Sequence, residues 1–270
     1  MTDNIKLRNH YENDALVLRH RTLARERITN ATRADGSLDW SRLPKLLTTN
    51  PKLLKSDKGG EYLSAGLMFA PTWISGYNMC PYATYGCGTN CLTWSGHGQR
   101  HMLHDNVHNV LLARIVRTII YMESREQFMQ KLHKELRAHV RKAHKLDATP
   151  AFRPNTTSDI LWEKRHAELF TTYPDLVIYD YTAVPNRKVP DNYNLTFSRK
   201  ESNEQTALDS GLNIAAVFRI KKGQPLPKTW QGREVIDGDL SDARFLDKAG
   251  VIVGLRPKGA SFDDTSGFVI

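Results

Sequence analysis

The sequence lacks the features of membrane and secreted proteins. Its 270 residues contain no run of about eighteen apolar residues, so we expect no transmembrane helix. The first residues, 1 to 6, have no apolar segment of the kind that a secretory signal requires. We therefore expect a protein that stays in the reducing cytoplasm and has no membrane partner. A length of 270 residues is within reach of one large α/β domain or two small ones, and a hydrophobic content of 40% is enough for a core.

Cysteine is scarce, and its few copies lie close together. The chain has three, Cys80, Cys87 and Cys91, all in one loop punctuated by glycine and proline. The odd number argues against the disulfide framework of a secreted protein. Thiolates are soft metal ligands, and three of them leave one coordination position of a metal centre free. We therefore predict that these residues hold an iron–sulfur cluster, [4Fe–4S], with zinc as the alternative. A disulfide, inert buried thiols and redox chemistry remain open.

A histidine run follows the cysteine loop. His97, His101, His104 and His108 are spaced four, three and four residues apart. The last three would therefore share one face of a helix. One of them could supply a fourth ligand to the metal, or the run could simply be a polar helix face.

The positive charge is concentrated in the first part of the chain. Residues 1 to 150 hold 22 Lys and Arg against 13 Asp and Glu, a net charge of +9. This is also the net charge of the whole chain. This asymmetry favours a polyanionic partner, DNA or RNA, over a merely solvated basic surface. The candidate nucleic-acid contacts are Lys52, Lys55, Arg137, Arg141 and Lys142.

Hydrophobic periodicity divides the chain into two parts. Residues 1–49 read as a basic helical N-terminal extension, and residues 50–270 as an α/β iron–sulfur domain. A strand over 63–71 precedes the cysteine loop, and two helices fill 100–145. From residue 151 short apolar strands alternate with helices, which predicts a largely parallel sheet. The expected fold class is α/β, a partial or distorted TIM-like barrel.

Polar residues follow several of the predicted strands. In parallel α/β sheets, active sites form outside the carboxyl ends of strands. Asp159 and Asp180 are the candidate catalytic residues. Asp159 could instead cap a helix, and Asp180 lies in an apolar strand where it needs a partner such as Arg153. The candidate cofactor-binding residues are Asn155, Thr157, Ser158, Asp159, Asp180, Thr182 and Ser198.

The order of strand, three-cysteine loop, helix and further strand–helix units resembles the start of a radical S-adenosylmethionine enzyme. In that superfamily three cysteines hold a [4Fe–4S] cluster at the top of a partial or full barrel, and the open iron binds S-adenosylmethionine. The resemblance implies that Cys80, Cys87 and Cys91 are the cluster ligands and that residues 155–159 meet the cofactor. The usual spacing is three and then two residues, whereas here it is six and then three.

A second resemblance covers the chain from about residue 50 to its end. It rests on residues 75–81, 157–160, 179–182, 236–239 and 254–259. These strings look like an uncharacterised family encoded by tailed bacteriophages. The resemblance implies a phage protein made in the cytoplasm of the infected host, and it implies no particular activity.

Three functions fit these observations. We favour an iron–sulfur enzyme with radical S-adenosylmethionine-like chemistry, acting on nucleic acid or nucleotides during phage infection. The alternative is a nucleic-acid-binding protein of phage replication or host takeover in which zinc or a cluster only braces the loop. A base-exchanging transglycosylase with Asp159 or Asp180 as nucleophile is the third, and it has no need of cysteines at the strand ends.

Overall fold

The structure, a computed structural model, describes residues 2–91, 93 and 107–270. Its helices are α1 (Asp3–Glu12), α2 (Ala15–Ala31), α3 (Pro51–Leu54), α4 (Tyr85–Thr89), α5 (Asn109–Glu123), α6 (Arg125–Lys145), α7 (Trp162–Arg165), α8 (Glu168–Thr172) and α9 (Glu204–Asp209). Its strands are β1 (Leu47–Thr48), β2 (Tyr62–Leu67), β3 (Thr149–Arg153), β4 (Val177–Thr182), β5 (Tyr193–Ser198), β6 (Asn213–Val217), β7 (Thr229–Trp230), β8 (Arg233–Asp237) and β9 (Ile252–Leu255). Short 3-10 helices cover Lys55–Gly60, Arg244–Leu246 and Gly259–Asp263.

The strands form one mostly parallel sheet in the order β1-β2-β3-β4-β5-β6-β9-β8-β7. Every neighbouring pair from β2 to β8 is parallel, and only β1 and β7 are antiparallel to their neighbours. The prediction of an α/β fold with mostly parallel strands is confirmed. Within the described ranges no strand pairing joins the two edges, so the sheet is open rather than a closed TIM barrel.

The open sheet nevertheless curls until its distant strands approach each other. Lys55, just before β2, donates from Nζ to the carbonyl oxygen of Asp239, just after β8, at 3.2 Å. The ring of Phe245 contacts both Tyr62 of β2 and Tyr179 of β4, at centroid distances of 5.0 and 5.2 Å. Twist in a parallel sheet produces curvature of this kind. The carboxyl ends of β2, β3, β8 and β9 surround one mouth, because Met68, Arg153, Asp239 and Arg256 line the same cavity.

Two long helices cover the outside of the first strands. Both helices bury one apolar face, α5 through Leu111, Ile115 and Ile119 and α6 through Leu132 and Leu136, whereas Val110 near the start of α5 is exposed. A stripe at this spacing packs one face of a helix against the core. Among the described helices, none is long and apolar enough to cross a bilayer.

The N-terminal helices pack against the rest of the fold. Leu7 and Tyr11 of α1, and Val17 and Ala24 of α2, belong to the same buried core as α5 and α6. Arg21 of α2 donates to the carbonyl oxygens of residues 73 and 74, next to the cysteine loop. Residues 1–49 thus contain two helices, and part of their basic charge is used in contacts within the protein.

Candidate thiol site and cationic cavity

A short helix holds the middle of the cysteine loop. Thr84 caps α4, because its hydroxyl accepts a hydrogen bond from the Cys87 amide at 3.2 Å. Glu201 holds the same turn from outside by accepting from the Thr84 hydroxyl at 2.6 Å and from the Gly86 amide at 2.7 Å. These contacts fix the position of Cys87 in a segment that the sequence pattern suggested to be a loop.

Helix α1 braces the other side of the loop. The Tyr11 hydroxyl donates to the carbonyl oxygen of Gly88 at 3.0 Å, and the Asn4 side chain donates to that of Pro81 at 2.8 Å. A Cβ atom at Gly88 would overlap the side chain of Leu7. The absence of a side chain at residue 88 is therefore what lets α1 approach the cysteines closely.

The three thiols lie close enough to act on one another through space. The Cys80 thiol interacts with both Cys87 and Cys91, and its Sγ contacts the carbonyl oxygen of Thr157 at 3.9 Å. Cys91 Sγ contacts the hydroxyl oxygen of Thr93 at 3.7 Å. Burial is the main cause that raises the pKa of both the Cys80 and the Cys91 thiol. The thiolate forms of these residues therefore need a nearby positive charge.

Lys200 supplies such a charge. Its side chain is buried, its Nζ donates to the Ser198 hydroxyl at 2.9 Å, and it also hydrogen-bonds Cys87. Burial by itself lowers the pKa of Lys200, but Cys87, Asp159 and Cys80 together raise it overall. The ammonium group thus stays charged beside the thiols and Asp159.

Asp159 links the strand ends to the cysteine loop. Its carboxylate accepts from the Thr182 hydroxyl and from the Ala183 amide, both at 2.8 Å, and lies 3.5 Å from Arg187. Its own amide donates to the carbonyl oxygen of Met79 at 2.8 Å. Burial raises the pKa of Asp159. The possibility that Asp159 caps the following helix is wrong, since its carboxylate serves the end of β4 instead.

Asp180 is fully buried and paired, as expected for a carboxylate in an apolar strand. It accepts from the Asn155 amide at 2.9 Å and from the Tyr193 hydroxyl at 2.8 Å, and it lies 3.8 Å from the guanidinium of Arg153. Arg153 also pairs with Asp242 at 2.7 Å. Burial raises the pKa of Asp180 to about 7 despite these partners.

The other candidate cofactor-binding residues organise the turn after β3. The Asn155 side-chain oxygen accepts from the Ser158 hydroxyl, the Ile160 amide and the Trp162 ring at 2.8 to 3.2 Å. The Thr157 hydroxyl donates to a backbone carbonyl of residue 69 at 2.6 Å. The structure thus brings these residues together beside the thiols, with much of their hydrogen bonding inside the protein. Their proposed contact with a cofactor stays a prediction.

A cavity of about 1120 Å³ opens at the carboxyl ends of the strands. Thr93 and Thr157, the contacts of Cys91 and Cys80, belong to its wall, so the cavity borders the thiol group. Asp239 is the one acidic residue among the described lining residues. The basic lining residues are Lys55, Arg114, Arg117, Arg153, Lys222, Arg256 and Lys258.

Two arginines of α5 stand out among them because they form no ion pair with a described carboxylate. Arg114 donates to the Thr93 hydroxyl at 2.9 Å, and Arg117 donates to the carbonyl oxygen of Lys45 at 2.7 Å. Arg117 is only 6% exposed. Burial, together with the charge of Arg114, lowers the pKa of Arg117 to about 10. Sequence reasoning missed both; the available signal was two arginines three residues apart inside an apolar helical stripe.

The predicted nucleic-acid contacts do not form one surface. Lys55 lines the cavity, whereas Arg137, Arg141 and Lys142 are exposed on α6 and are not part of its wall. Lys52 lies in α3. Their contact with nucleic acid stays a prediction.

The histidine run is only partly placed. His97, His101 and His104 lie outside the described residues. His108 precedes α5 and lines the cavity, and its amide donates to the ring of His20 at 2.9 Å. In the part of the chain that the structure describes, no three His, Cys, Asp or Glu side chains are arranged to hold a single metal ion.

The comparison with known families covers most of the fold. A family model described as gene product 88 matches residues 44–270. The chain therefore belongs to this phage-type family, which confirms the predicted phage origin. The match excludes α1 and α2, the helices that brace the cysteine loop. No curated protein and no solved structure is significantly similar to the chain.

Proposed function

We propose that this member of the gene product 88 family is an iron–sulfur enzyme that acts on nucleotides or nucleic acid in the infected host cytoplasm. The observation that supports it is the grouping of Cys80, Cys87 and Cys91 around Lys200, beside a large cationic cavity. Metal-ligand chemistry accounts for the thiols, and the positive cavity suits a phosphate-bearing substrate.

Thiolates are ligands of both iron–sulfur clusters and zinc, and three of them leave one position of a cluster open to a substrate or cofactor. A lone zinc ion needs its sulfur donors at about 2.3 Å from one point. An iron–sulfur cluster binds each thiolate to a different iron, so its ligands stand farther apart. Since burial raises the pKa of Cys80 and Cys91, cluster binding would also supply the positive charge that holds them as thiolates.

Cys80, Cys87 and Cys91 would hold the cluster, and the iron without a protein thiolate would be open to a substrate or cofactor. Lys200 would hold the thiolates by charge, and the Thr93 and Thr157 contacts would form the boundary between the cluster and the cavity. S-adenosylmethionine is the cofactor that the radical-enzyme resemblance implies. S-adenosylmethionine carries two cationic groups, and the cavity is also positively charged. By charge, the cavity therefore suits an anionic substrate.

Single Cys→Ser variants at residues 80, 87 and 91 test the cluster. The anaerobically reconstituted wild type should be brown, and each variant should lose most of its visible absorption and bound iron. Thr89→Ser, on the same short helix but without a thiol, is the matched control and should stay brown. Full absorption in the three cysteine variants would overturn the proposal. Cleavage of S-adenosylmethionine on reduction is a separate readout: its absence would remove the radical chemistry while leaving the cluster.

One observation favours the non-enzymatic alternative. Arg137, Arg141 and Lys142 form an exposed basic face on α6 that the cavity does not use. If the protein is a nucleic-acid-binding module, a triple Gln variant of these residues should weaken oligonucleotide binding and lower its salt dependence. The triple Cys→Ser variant should bind as the wild type does. Fluorescence anisotropy with a labelled oligonucleotide measures both.

A further inference from the structure

The wall of the cavity nearest the thiols holds two arginines that form no ion pair with a described carboxylate. Arg153 is paired with Asp242, and Arg256 with Asp237 at 2.9 Å, but Arg114 and Arg117 have no such partner among the described carboxylates. Glu135, the carboxylate that acts on Arg117 through space, pairs with Lys131 and accepts from two backbone amides.

Among the described residues, Cys91 is the one acidic group that acts on Arg114 through space, and an anion in the cavity would pair with the charge of both arginines. The ε nitrogen of Arg114 is buried and has no hydrogen-bond partner within the described ranges. Buried guanidinium groups are normally paired, because an unpaired buried charge is costly. Guanidinium groups bind phosphate oxygens in a fork geometry that suits two adjacent arginines. We propose that Arg114 and Arg117 bind the phosphate groups of a free nucleotide in the cavity beside the thiols.

Size and surface favour a free nucleotide over a nucleic-acid chain. The cavity volume of about 1120 Å³ is close to the upper range of small-ligand pockets. No Phe, Tyr or Trp side chain lines its described wall, so it lacks the large aromatic platforms on which successive bases of a single strand stack. Met68, Val110 and Leu111 provide apolar surface for one base.

The contacts of Arg114 place the bound ligand close to the thiols. Arg114 donates to the Thr93 hydroxyl at 2.9 Å, and the same oxygen contacts Cys91 Sγ at 3.7 Å. A phosphate on Arg114 would therefore lie one side chain away from the proposed cluster. The inference rests on the proposed function in taking the nucleotide as the substrate of that site.

Calorimetric titration of the full chain with ATP tests the inference. Arg114→Gln and Arg117→Gln should each raise the dissociation constant for ATP about tenfold or more. Lys222→Gln changes an exposed residue of the same wall and should raise the dissociation constant for ATP a few fold. This variant keeps the inference testable if a buried arginine variant fails to fold. Arg165→Gln, exposed on α7 and outside the cavity wall, is the matched control and should bind as the wild type does.

Several results would overturn the inference. ATP binding that is absent in the wild type, or equally weakened by Arg165→Gln, would contradict it. Inorganic triphosphate that binds as tightly as ATP would contradict the nucleotide, and a single-stranded oligonucleotide that binds more tightly than ATP would contradict a free ligand. Iron and sulfide are measured on the same samples. A full cluster without ATP binding would refute only this inference, and ATP binding without a cluster would refute only the proposed function.

Discussion

Asp180 makes the stability of the folded protein depend on pH, because its carboxyl group is buried in the sheet. Burial raises its pKa to about 7 in the folded protein, against 3.8 as the ordinary value. Between these values the folded state holds a proton that the unfolded state releases. The stabilising effect of that proton is therefore complete at low pH and is lost as the pH rises through the folded pKa, by up to about 1.4 kcal/mol per pH unit.

We predict that Asp180→Asn removes this dependence. The free energy of unfolding of the wild type, minus that of the variant, should fall between pH 5 and pH 7 and level off above pH 8. Urea unfolding at each pH measures it. A difference that rises with pH would show that Arg153, Tyr193 and the Asn155 amide hold Asp180 ionised instead.

Lys200 is a buried cation next to the thiol group. Lys200→Met removes the ammonium group that hydrogen-bonds Cys87 and interacts with Cys80, so these thiolates lose a nearby positive charge. We expect a several-fold loss of bound iron after anaerobic desalting, measured per folded chain. Lys200→Arg keeps the charge and should retain more iron than the Met variant. Equal iron in all three proteins would mean that the charge of Lys200 has no part in cluster binding.

At the scale of elements, the contact between α1 and α4 controls the shape of the cysteine loop. A Cβ at Gly88 would overlap Leu7, which is fully buried. Gly88→Ala should lower the free energy of unfolding by about 1–3 kcal/mol, although alanine is intrinsically the better helix former. Thermal or urea unfolding measures this loss.

A double variant tests whether the loss of stability in Gly88→Ala comes from overlap with the Leu7 side chain. Leu7→Ala by itself leaves a cavity and should cost about 2–5 kcal/mol. In the Leu7→Ala, Gly88→Ala protein the overlap is gone, so the combined loss should be smaller than the sum by about 1 kcal/mol or more. Strict additivity would show that the two helices do not restrain each other.

Element patterns in the sequence predicted much of this fold. The strands at 177–182, 193–198, 213–217 and 252–255 and the two helices up to residue 145 follow from apolar periodicity, which is a local property. Residues 160–173, where the apolar pattern predicts one helix, form two shorter helices, α7 and α8, separated by residues 166 and 167. Helix α4 was also missed, because its cap depends on Thr84 and Glu201, which lie far apart in the sequence.

The site was less predictable than the fold for the same reason. The cysteines and the residues at the strand ends were identified from their residue types and from their positions in the sequence. Sequence alone did not show that Asp159 bonds Thr182 or that Lys200 reaches Cys87, since these contacts depend on how the sheet curls. Arg114 and Arg117 were missed because they lie in an apolar helix, and hydrophobic periodicity takes no account of charge.

At the scale of the whole molecule, the charge of +9 is arranged differently from what the sequence suggests. The excess belongs to residues 1–150, yet the basic wall of the cavity combines both halves of the chain: Lys55, Arg114 and Arg117 meet Arg153, Lys222, Arg256 and Lys258. Curling of the sheet brings them together. Linear charge asymmetry therefore indicated an anionic ligand, but the surface that could bind it is set by the fold.

The central claim is that three cysteines hold an iron–sulfur cluster at the mouth of this sheet. Iron and acid-labile sulfide analysis of the anaerobically purified wild type tests it most directly. The account predicts about four iron and four sulfide per chain, as expected for a [4Fe–4S] cluster. One zinc without sulfide, or no metal even after anaerobic reconstitution, would contradict it.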